Sequence, residues 1–216
     1  MKTILVLPLI LLLSCEAEPL PNTNPTVNPI AQKEKVKEAF QQYKAAVLSQ
    51  EGSAAAEQLS SNSIVYYDEL LSKVLHGTEA EVKALSSGDM MQVVALRYFF
   101  PKEDLKSYDG RQLYEAMIAN KFTEERQLAR TDLGKIAVKG NKAKGQMVVN
   151  GQPSPIFFDF KKEQGAWKLD LTTTVIMTTK FVEQQAQAAQ LTVPEYLEQT
   201  MNLSEEEKKS IWQPLD

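Results

Sequence analysis

The sequence contains a single cysteine, Cys15, and a single histidine, His76, among its 216 residues. One cysteine cannot form an intramolecular disulfide bond, and structural zinc sites usually take four cysteine or histidine ligands. We therefore expect neither a disulfide-stapled scaffold nor a metal site.

Catalytic and cofactor-binding motifs are also lacking. The chain contains no Gly-x-Ser-x-Gly motif, no P-loop, no His-Glu-x-x-His motif and no dinucleotide fingerprint. We therefore expect no cofactor and name no catalytic residue. Hydrophobic residues make up 43% of the sequence, which is enough to bury a core in a single domain of this length.

Basic residues are also fewer than acidic residues. The 24 lysines and arginines and the 28 acidic residues give a formal net charge of −4 at pH 7. Because nucleic-acid binding depends on basic side chains that neutralise phosphates, this composition predicts no nucleic-acid partner.

The first 15 residues have the pattern of an export signal. Lys2 precedes the ten apolar residues 4–13, a run long enough for a signal peptide but shorter than the roughly 20 residues of a membrane span. The run ends in Leu-Leu-Ser-Cys, which resembles the lipobox of bacterial lipoproteins. That resemblance implies removal of residues 1–14, acylation of Cys15 and attachment to a membrane of the bacterial cell envelope. Glu16 is not the Asp that resembles an inner-membrane retention signal, so the periplasmic side of the outer membrane is favoured.

Residues 15–30 are polar and rich in proline, with Pro19, Pro21, Pro25 and Pro29 breaking any helix. Chains of this kind extend by about 3.1 Å per residue. They predict a tether between the lipid and a folded domain at 31–216.

Helical periodicity dominates residues 31–120. Val36, Phe40, Tyr43 and Val47 recur at helical spacing and predict one face of a helix over 31–49. Further helices are predicted from N-capping residues and capping boxes. The predicted caps are Ser53, Ser63, Thr78, Asp89, Asp109, Thr192 and Ser204.

Period-2 alternation then predicts a four-stranded antiparallel meander over about 135–171, within a sheet region of 133–175. Turn signals separate the strands, at Gly140-Asn141, Asn150-Gly151 and Gln164-Gly165. Residues 172–179 are rich in β-branched side chains, so they either continue the sheet or begin a helix. A helical tail is predicted over 180–213.

The helix over 36–47, the stretch G-N-K-A-K-G-Q-M-V-V and the stretch F-F-D-F-K-K-E-Q-G-A-W-K-L-D-L resemble the nuclear transport factor 2-like (cystatin-like) superfamily. The resemblance covers about residues 31–171. It implies an α+β fold in which helices pack on a curled four-stranded sheet, and it leaves the helical tail outside.

Enzymes of that superfamily place acid–base residues at the mouth of a cone. The matching candidates here are Tyr66, Tyr67, His76 and Tyr98, with Asp68 and Arg97 nearby in sequence. Tyr67 and His76 are nine residues apart and point to opposite sides of one helix. Because His76 precedes Gly77 at the predicted helix end, it is better interpreted as a partner of the helix dipole.

Three aromatic residues of the sheet complete the candidate pocket or interface: Phe157, Phe158 and Trp167. Trp167 is interpreted as a core residue. Phe157 and Phe158 are adjacent on one strand, so their side chains must face opposite ways. One of them therefore lies outside the main core, where it is either covered by the C-terminal helices or lines an interface.

Charged residues of the sheet are interpreted as solvated. These are Asp132 and Asp170, and a small basic row of Lys139, Lys142 and Lys144 on the outer face, balanced by Asp159 and Glu163.

These observations favour a non-catalytic envelope lipoprotein whose domain binds an envelope protein or a small apolar ligand. Two alternatives stay open. One is an acid–base enzyme of the isomerase, dehydratase or cyclase type acting on a small apolar substrate, and the other is a structural spacer. An enclosed pocket with two titratable groups in contact would favour the enzyme, and a pocket filled by aromatic side chains would favour binding.

Overall fold

The computed structural model describes residues 28–122 and 125–215. The predicted signal peptide, Cys15 and most of the predicted tether lie outside this part of the chain. Within it, the helices that precede the sheet are α1 (Pro29–Leu48), α2 (Gly52–Glu57), α3 (Ser61–His76), α4 (Glu79–Lys83), α5 (Ser87–Phe99), α6 (Lys102–Ser107), α7 (Gly110–Ala119) and α8 (Glu125–Ala129). Among the described residues, no helix is both long and apolar enough to cross a bilayer.

The sheet is an antiparallel meander in the order β1 (Thr131–Lys139), β2 (Lys142–Val149), β3 (Gln152–Glu163) and β4 (Ala166–Asp170). It is curled and does not close, and the helices pack around it. The prediction of an α+β fold with N-terminal helices on a curled four-stranded antiparallel sheet and a helical C-terminal extension is confirmed.

The turns between the strands lie at the predicted sites. Asn150 and Gly151 both have positive φ angles, of 50° and 76°, and Gln164 and Gly165 have φ angles of 49° and 85°. Two successive residues in this region form the tight turn whose twist matches that of the flanking strands. Local sequence therefore fixes the pairing of β2 with β3 and of β3 with β4.

Helix α1 covers the inner face of the sheet. Its predicted stripe of Val36, Phe40, Tyr43 and Val47 is buried, and the ring centroid of Phe40 lies 5.2 Å from that of Phe158 on β3. The helix begins earlier than predicted, because Pro29 occupies its first turn, where a missing N–H leaves no hydrogen bond unmade. The predicted tether is thus shortened at its C-terminal end, with Asn28 as the cap.

Four predicted capping boxes are present, and each pairs the N-cap with the side chain three residues later. They begin at Thr78, Asp109, Thr192 and Ser204. Three other predicted caps are wrong, because α2, α3 and α5 begin after Glu51, Ser60 and Ser86 instead of after Ser53, Ser63 and Asp89.

The wrong cap of α3 has a tertiary cause. The segment before the helix pairs with the edge of the sheet, where the Ser60 N–H donates to the Leu169 carbonyl at 2.8 Å. Ser63 then lies inside the helix, buried, and its hydroxyl accepts the Leu171 N–H at 2.9 Å. The contact with β4 selects which serine caps the helix.

The end of the sheet also differs from the prediction. Strand β4 ends at Asp170, and Leu171–Thr173 form a 3-10 turn that leads directly into α9 (Thr174–Ala188). The ambiguous stretch is therefore helical, and the tail begins before residue 180. It continues through α10 (Val193–Thr200) and α11 (Glu205–Ser210), whereas α6 and α8 were not predicted at all.

Helices α3 and α7 approach closely at Gly110. Its N–H donates to the Asp68 carboxylate at 2.6 Å, and a β-carbon at this position would lie 2.4 Å from the Asp68 backbone nitrogen. Only glycine permits this spacing, which places Tyr114 of α7 against Tyr67 of α3.

Candidate functional site

Aromatic side chains fill the interior between the helices and the sheet. Tyr67 and Tyr114 have ring centroids 4.9 Å apart, and the Tyr114 hydroxyl donates to the Tyr43 hydroxyl at 3.0 Å. All three side chains are buried, and burial raises the pKa of each phenol above its ordinary value. We call this group the tyrosine cluster.

The inner face of the sheet is filled in the same way. Phe158, Phe160 and Trp167 are buried there under α1. The Trp167 indole N–H donates to Gln32 Oε1 at 3.1 Å, and the same oxygen accepts from Lys162 at 3.1 Å. Trp167 is therefore a core residue, as predicted, and the space where a cone-shaped fold would hold a ligand is occupied by side chains.

Tyr66 lies half-buried beside the tyrosine cluster. Its hydroxyl donates to Asp89 Oδ1 at 2.7 Å and accepts from the Gln92 amide at 2.6 Å. Burial and the neighbouring Asp89 carboxylate raise the pKa of Tyr66, so the phenol stays protonated.

Asp89 is engaged on both oxygens, because the Ser86 hydroxyl donates to Oδ2 at 2.7 Å at the start of α5. The Tyr66–Asp89 pair thus ties α3 to the first turn of α5. Neither group is a free base, so the pair is better suited to a structural role than to proton transfer.

The remaining acid–base candidates are dispersed. His76 is the last residue of α3 and is exposed, whereas Tyr67 of the same helix lies in the core. Asp68 binds the start of α7 through Gly110. The structure therefore brings the rings of Tyr66 and Tyr67 into edge-on contact at 5.2 Å, and it places His76 away from them at the end of α3.

Arg97 has a role that the sequence did not reveal. Its side chain is only 7% exposed, and the guanidinium donates to four backbone carbonyls: Lys73, Val74, Gly77 and Ile211. Burial lowers the pKa of Arg97 to about 10. The guanidinium satisfies carbonyls at the end of α3, where a cation is favoured by the helix dipole, and joins them to α11.

Aromatic rings also lie on the surface at the end of α5. Phe99 is 60% exposed. Its ring packs edge-on against Tyr98, with centroids 4.9 Å apart, and at a tilt against Phe122, with centroids 5.9 Å apart. The buried ring of Phe100 packs against the ring of Phe122, with centroids 5.6 Å apart. We call Tyr98, Phe99 and Phe122 the aromatic patch. Of its members only Tyr98 was a predicted interface residue.

Phe157 and Phe158 point to opposite faces of β3, as their adjacency predicts. Phe158 is buried beneath α1, whereas Phe157 is 44% exposed on the outer face opposite Gln146. Phe157 is therefore the residue of the pair that lies outside the main core.

Asp170 is not solvated, contrary to the prediction. It is 4% exposed, its carboxylate lies 3.2 Å from Lys161 Nζ, and it accepts from the N–H and hydroxyl of Thr172. It ends the sheet by capping the 3-10 turn. Asp132, in contrast, is exposed and pairs with Lys44 at 3.2 Å.

Two shallow surface depressions are present, with volumes of 430 and 380 Å³. One lies between α2 and α7, and the other lies between α10 and α11. Neither is lined by a residue of the predicted site.

Within residues 28–122 and 125–215, no group of three His, Cys, Asp or Glu side chains could hold a metal ion. Comparisons of the chain with protein families, with curated proteins and with solved structures found no match. The function is therefore inferred from the sequence and from the geometry of the described residues.

Proposed function

We propose that this chain is a bacterial envelope lipoprotein, anchored through acylated Cys15, whose α+β domain binds another envelope protein through the aromatic patch. The observation that carries the binding role is the placement of aromatic rings. They fill the interior, where a ligand would otherwise lie, and they are exposed at the end of α5.

The anchor is supported by the leader pattern and by the position of the sole cysteine at its end. Each buried CH₂ of an acyl chain contributes about 0.8 kcal/mol, so several chains hold a protein firmly on a bilayer. The Cys15→Ser variant should leave the membrane fraction, whereas Ser14→Ala, which keeps the cysteine and a small neighbour, should remain. Mass spectrometry of the native amino terminus is the direct check, and an unmodified terminus would refute the anchor.

Protein binding is supported by the exposure of Phe99 against two neighbouring rings. Aromatic residues are enriched at the centres of protein interfaces, and an exposed cluster of them is unusual on a surface with no partner. A small apolar ligand is less well supported, because Phe158, Phe160 and Trp167 occupy the inner face of the sheet. The resemblance to the nuclear transport factor 2-like superfamily stays a prediction.

The acid–base enzyme is also less well supported. Tyr66 and Asp89 are the best candidates for an acid–base pair, but their hydrogen bonds join α3 to α5. The histidine, His76, lies at the far end of α3. Proton transfer would require a free base within reach of a substrate.

The binding role is tested by chemical crosslinking and pull-down from native membranes. The change Phe99→Asp should abolish the crosslinked species. Phe181→Asp is a matched control, because Phe181 is 58% exposed but lies near the start of α5, where Glu183 contacts Ser87. Retention of the crosslink in Phe99→Asp, or equal loss in both variants, would refute the aromatic patch as the binding surface.

A further inference from the structure

The register of the sheet aligns four lysines that are scattered in the sequence. Lys139 pairs with Lys142, Lys142 with Lys161, and Lys161 with Lys168, so one residue from each strand forms a continuous row on the outer face. We call these four residues the lysine row. At about 4.8 Å between strands the row is about 14 Å long. Like charges directly opposite each other destabilise a sheet.

Two members of the row have partners within the fold. Lys161 pairs with buried Asp170 at 3.2 Å, and the Lys168 ammonium donates to the Glu57 carbonyl. Lys139 and Lys142 are exposed and have no ion-pair partner among the described residues. The two exposed members of the row thus lie at the β1–β2 turn.

The chain enters the domain at this same end of the sheet. Asn28 and Gln32 begin α1, and Gln32 binds Trp167 and Lys162 beside the β3–β4 turn. The Lys162 N–H donates to the Asn141 carbonyl at 2.8 Å, which joins the two turns. The first turns of α1 add exposed charges of both signs, from Lys33, Lys35, Lys37, Glu34 and Glu38.

Three glutamates and two lysines give helix α11, at the opposite end of the molecule, a net charge of −1. Helix α3 starts at the turn end, where Ser61 donates to Glu163, and its 16 residues span about 24 Å. At its far end Arg97 holds Ile211 of the α11 region. The first turn of α11 carries three glutamates, at 205–207.

We propose that the lysine row faces the anionic phospholipid headgroups of the bilayer that holds the lipid anchor, so that the domain stands with its turn end toward the membrane. This inference rests on the proposed anchor at Cys15. Twelve residues lie between Cys15 and Asn28, and an extended chain of that length reaches about 40 Å. The tether alone leaves the orientation open, and the charge asymmetry selects it.

The attraction between lysines and an anionic bilayer is strong enough to orient the domain. A lysine near an anionic surface contributes about 1 kcal/mol, and the attraction decays within a Debye length of about 8 Å at physiological salt. In the proposed orientation, exposed Lys139 and Lys142 lie next to the point where the tether enters and within one Debye length of the bilayer surface. The glutamates of α11 lie farther than one Debye length from the bilayer surface.

The test uses the full lipidated chain, verified by mass spectrometry and reconstituted in vesicles of phosphatidylcholine alone or mixed with phosphatidylglycerol. Because Cys15 is acylated, an added cysteine is the only free thiol for a fluorophore. Asn141→Cys reports on the turn end, and exposed Glu206→Cys reports on α11. Energy transfer to a headgroup acceptor should be at least threefold stronger from position 141 on anionic vesicles, and similar from both positions on neutral vesicles.

Charge reversal identifies the contact. Lys139→Glu with Lys142→Glu should abolish the dependence on phosphatidylglycerol, whereas Lys102→Glu with Lys106→Glu, the same charge change on exposed lysines of α6, should preserve it. Equal transfer from both labels on anionic vesicles, or unchanged dependence in the first variant, would overturn the proposal while leaving the anchor intact. Binding of double-stranded DNA to the row without any orientation on anionic vesicles would overturn it in favour of another polyanion. An unacylated terminus refutes the anchor, and with it the lipid contact.

Discussion

The region beneath the sheet and the C-terminal extension are stabilised in different ways. Helix α1 buries seven of its residues against the sheet and its neighbouring helices, whereas α9, only five residues shorter, buries Val182 and Ala186 alone. Apolar packing accounts for the first region, since burial contributes about 25 cal/mol for each Å² removed from water.

The extension spreads six buried apolar side chains over its length and adds directed polar contacts. The buried side chains are Val182, Ala186, Leu197, Leu203, Ile211 and Trp212. The Arg97 guanidinium binds the Ile211 carbonyl, the Trp212 indole donates to Glu198 at 2.8 Å, and the Leu215 N–H donates to the Leu75 carbonyl at 2.8 Å. A terminal region that buries fewer apolar side chains along its length opens at a lower free energy than the region beneath the sheet. The comparison predicts global effects from changes under the sheet and local effects from changes at the extension.

The largest expected effect is that of Phe40→Ala. Phe40 is fully buried against Phe158, and the cavity left by a truncated phenylalanine destabilises a domain by about 3–5 kcal/mol. Urea unfolding should show the loss in one cooperative transition. The control, Phe181→Ala at an exposed site of α9, should stay within about 0.5 kcal/mol of the unmodified protein. A Phe40→Ala variant of unchanged stability would show that the inner face is not the core.

Arg97→Met should cost about 2–3 kcal/mol, because the Val74, Gly77 and Ile211 carbonyls lose a buried donor. The part-buried Lys73 carbonyl keeps the Gly77 N–H. The loss should be local. Amide hydrogen exchange is expected to speed up in α11 and at the end of α3, while β2 and β3 stay protected. Arg111→Met, which breaks a surface pair with Glu115 and an exposed bond to the Ser53 carbonyl, is the control. Uniform loss of protection across the sheet would contradict the division into two regions.

Alkaline pH should destabilise the region beneath the sheet. The pKa values of Tyr43, Tyr67 and Tyr114 are raised by burial, so the folded protein binds more protons than the unfolded chain above pH 10. Their contribution is complete below pH 10 and is lost above it, by about 1.4 kcal/mol per pH unit for each tyrosine. Arg97, whose pKa is lowered to about 10, offsets the loss from one of them.

Urea unfolding between pH 9 and 11.5 measures this slope, and tyrosinate absorbance reports the ionisation. Tyr114→Phe should make the slope shallower, because it removes one of the three buried phenols. A stability that stays constant up to pH 11.5 would contradict burial of the tyrosine cluster.

The smallest expected effect is that of Tyr66→Phe, at about 1–2 kcal/mol for the loss of the two hydrogen bonds of its hydroxyl, to Asp89 and from Gln92. The variant removes the tie from α3 to Asp89 and leaves the ring in place. Tyr108→Phe, whose hydroxyl forms no hydrogen bond among the described residues, is the control in thermal unfolding. A loss well above that of two hydrogen bonds would assign the Tyr66–Asp89 pair a larger role than joining two helices.

The features predicted correctly from the sequence are those decided by neighbours along the chain. Capping boxes depend on residues three apart, hairpin turns on two residues, and the buried stripe of α1 on helical period. The opposite orientations of Phe157 and Phe158 follow from strand geometry in the same way.

The features that were missed depend on residues far apart in sequence. Ser60 replaces Ser63 as a cap because of β4, and Asp170 is buried because of Lys161 and the 3-10 turn. The role of Arg97 requires the ends of α3 and α11 to meet. The full lysine row exists only in the register of four strands, although Lys139 and Lys142 were recognised in sequence.

The sequence by itself determined the α+β class, the order of most elements and the alternation of buried and exposed faces, because period, turn chemistry and capping are local properties. Tertiary structure decided that tyrosines fill the interior, that Arg97 joins α3 to α11, and that positive charge collects where the chain enters the domain. Those outcomes depend on which distant surfaces bury each other, and apolar burial and electrostatic contact act between positions in space whatever their separation along the chain.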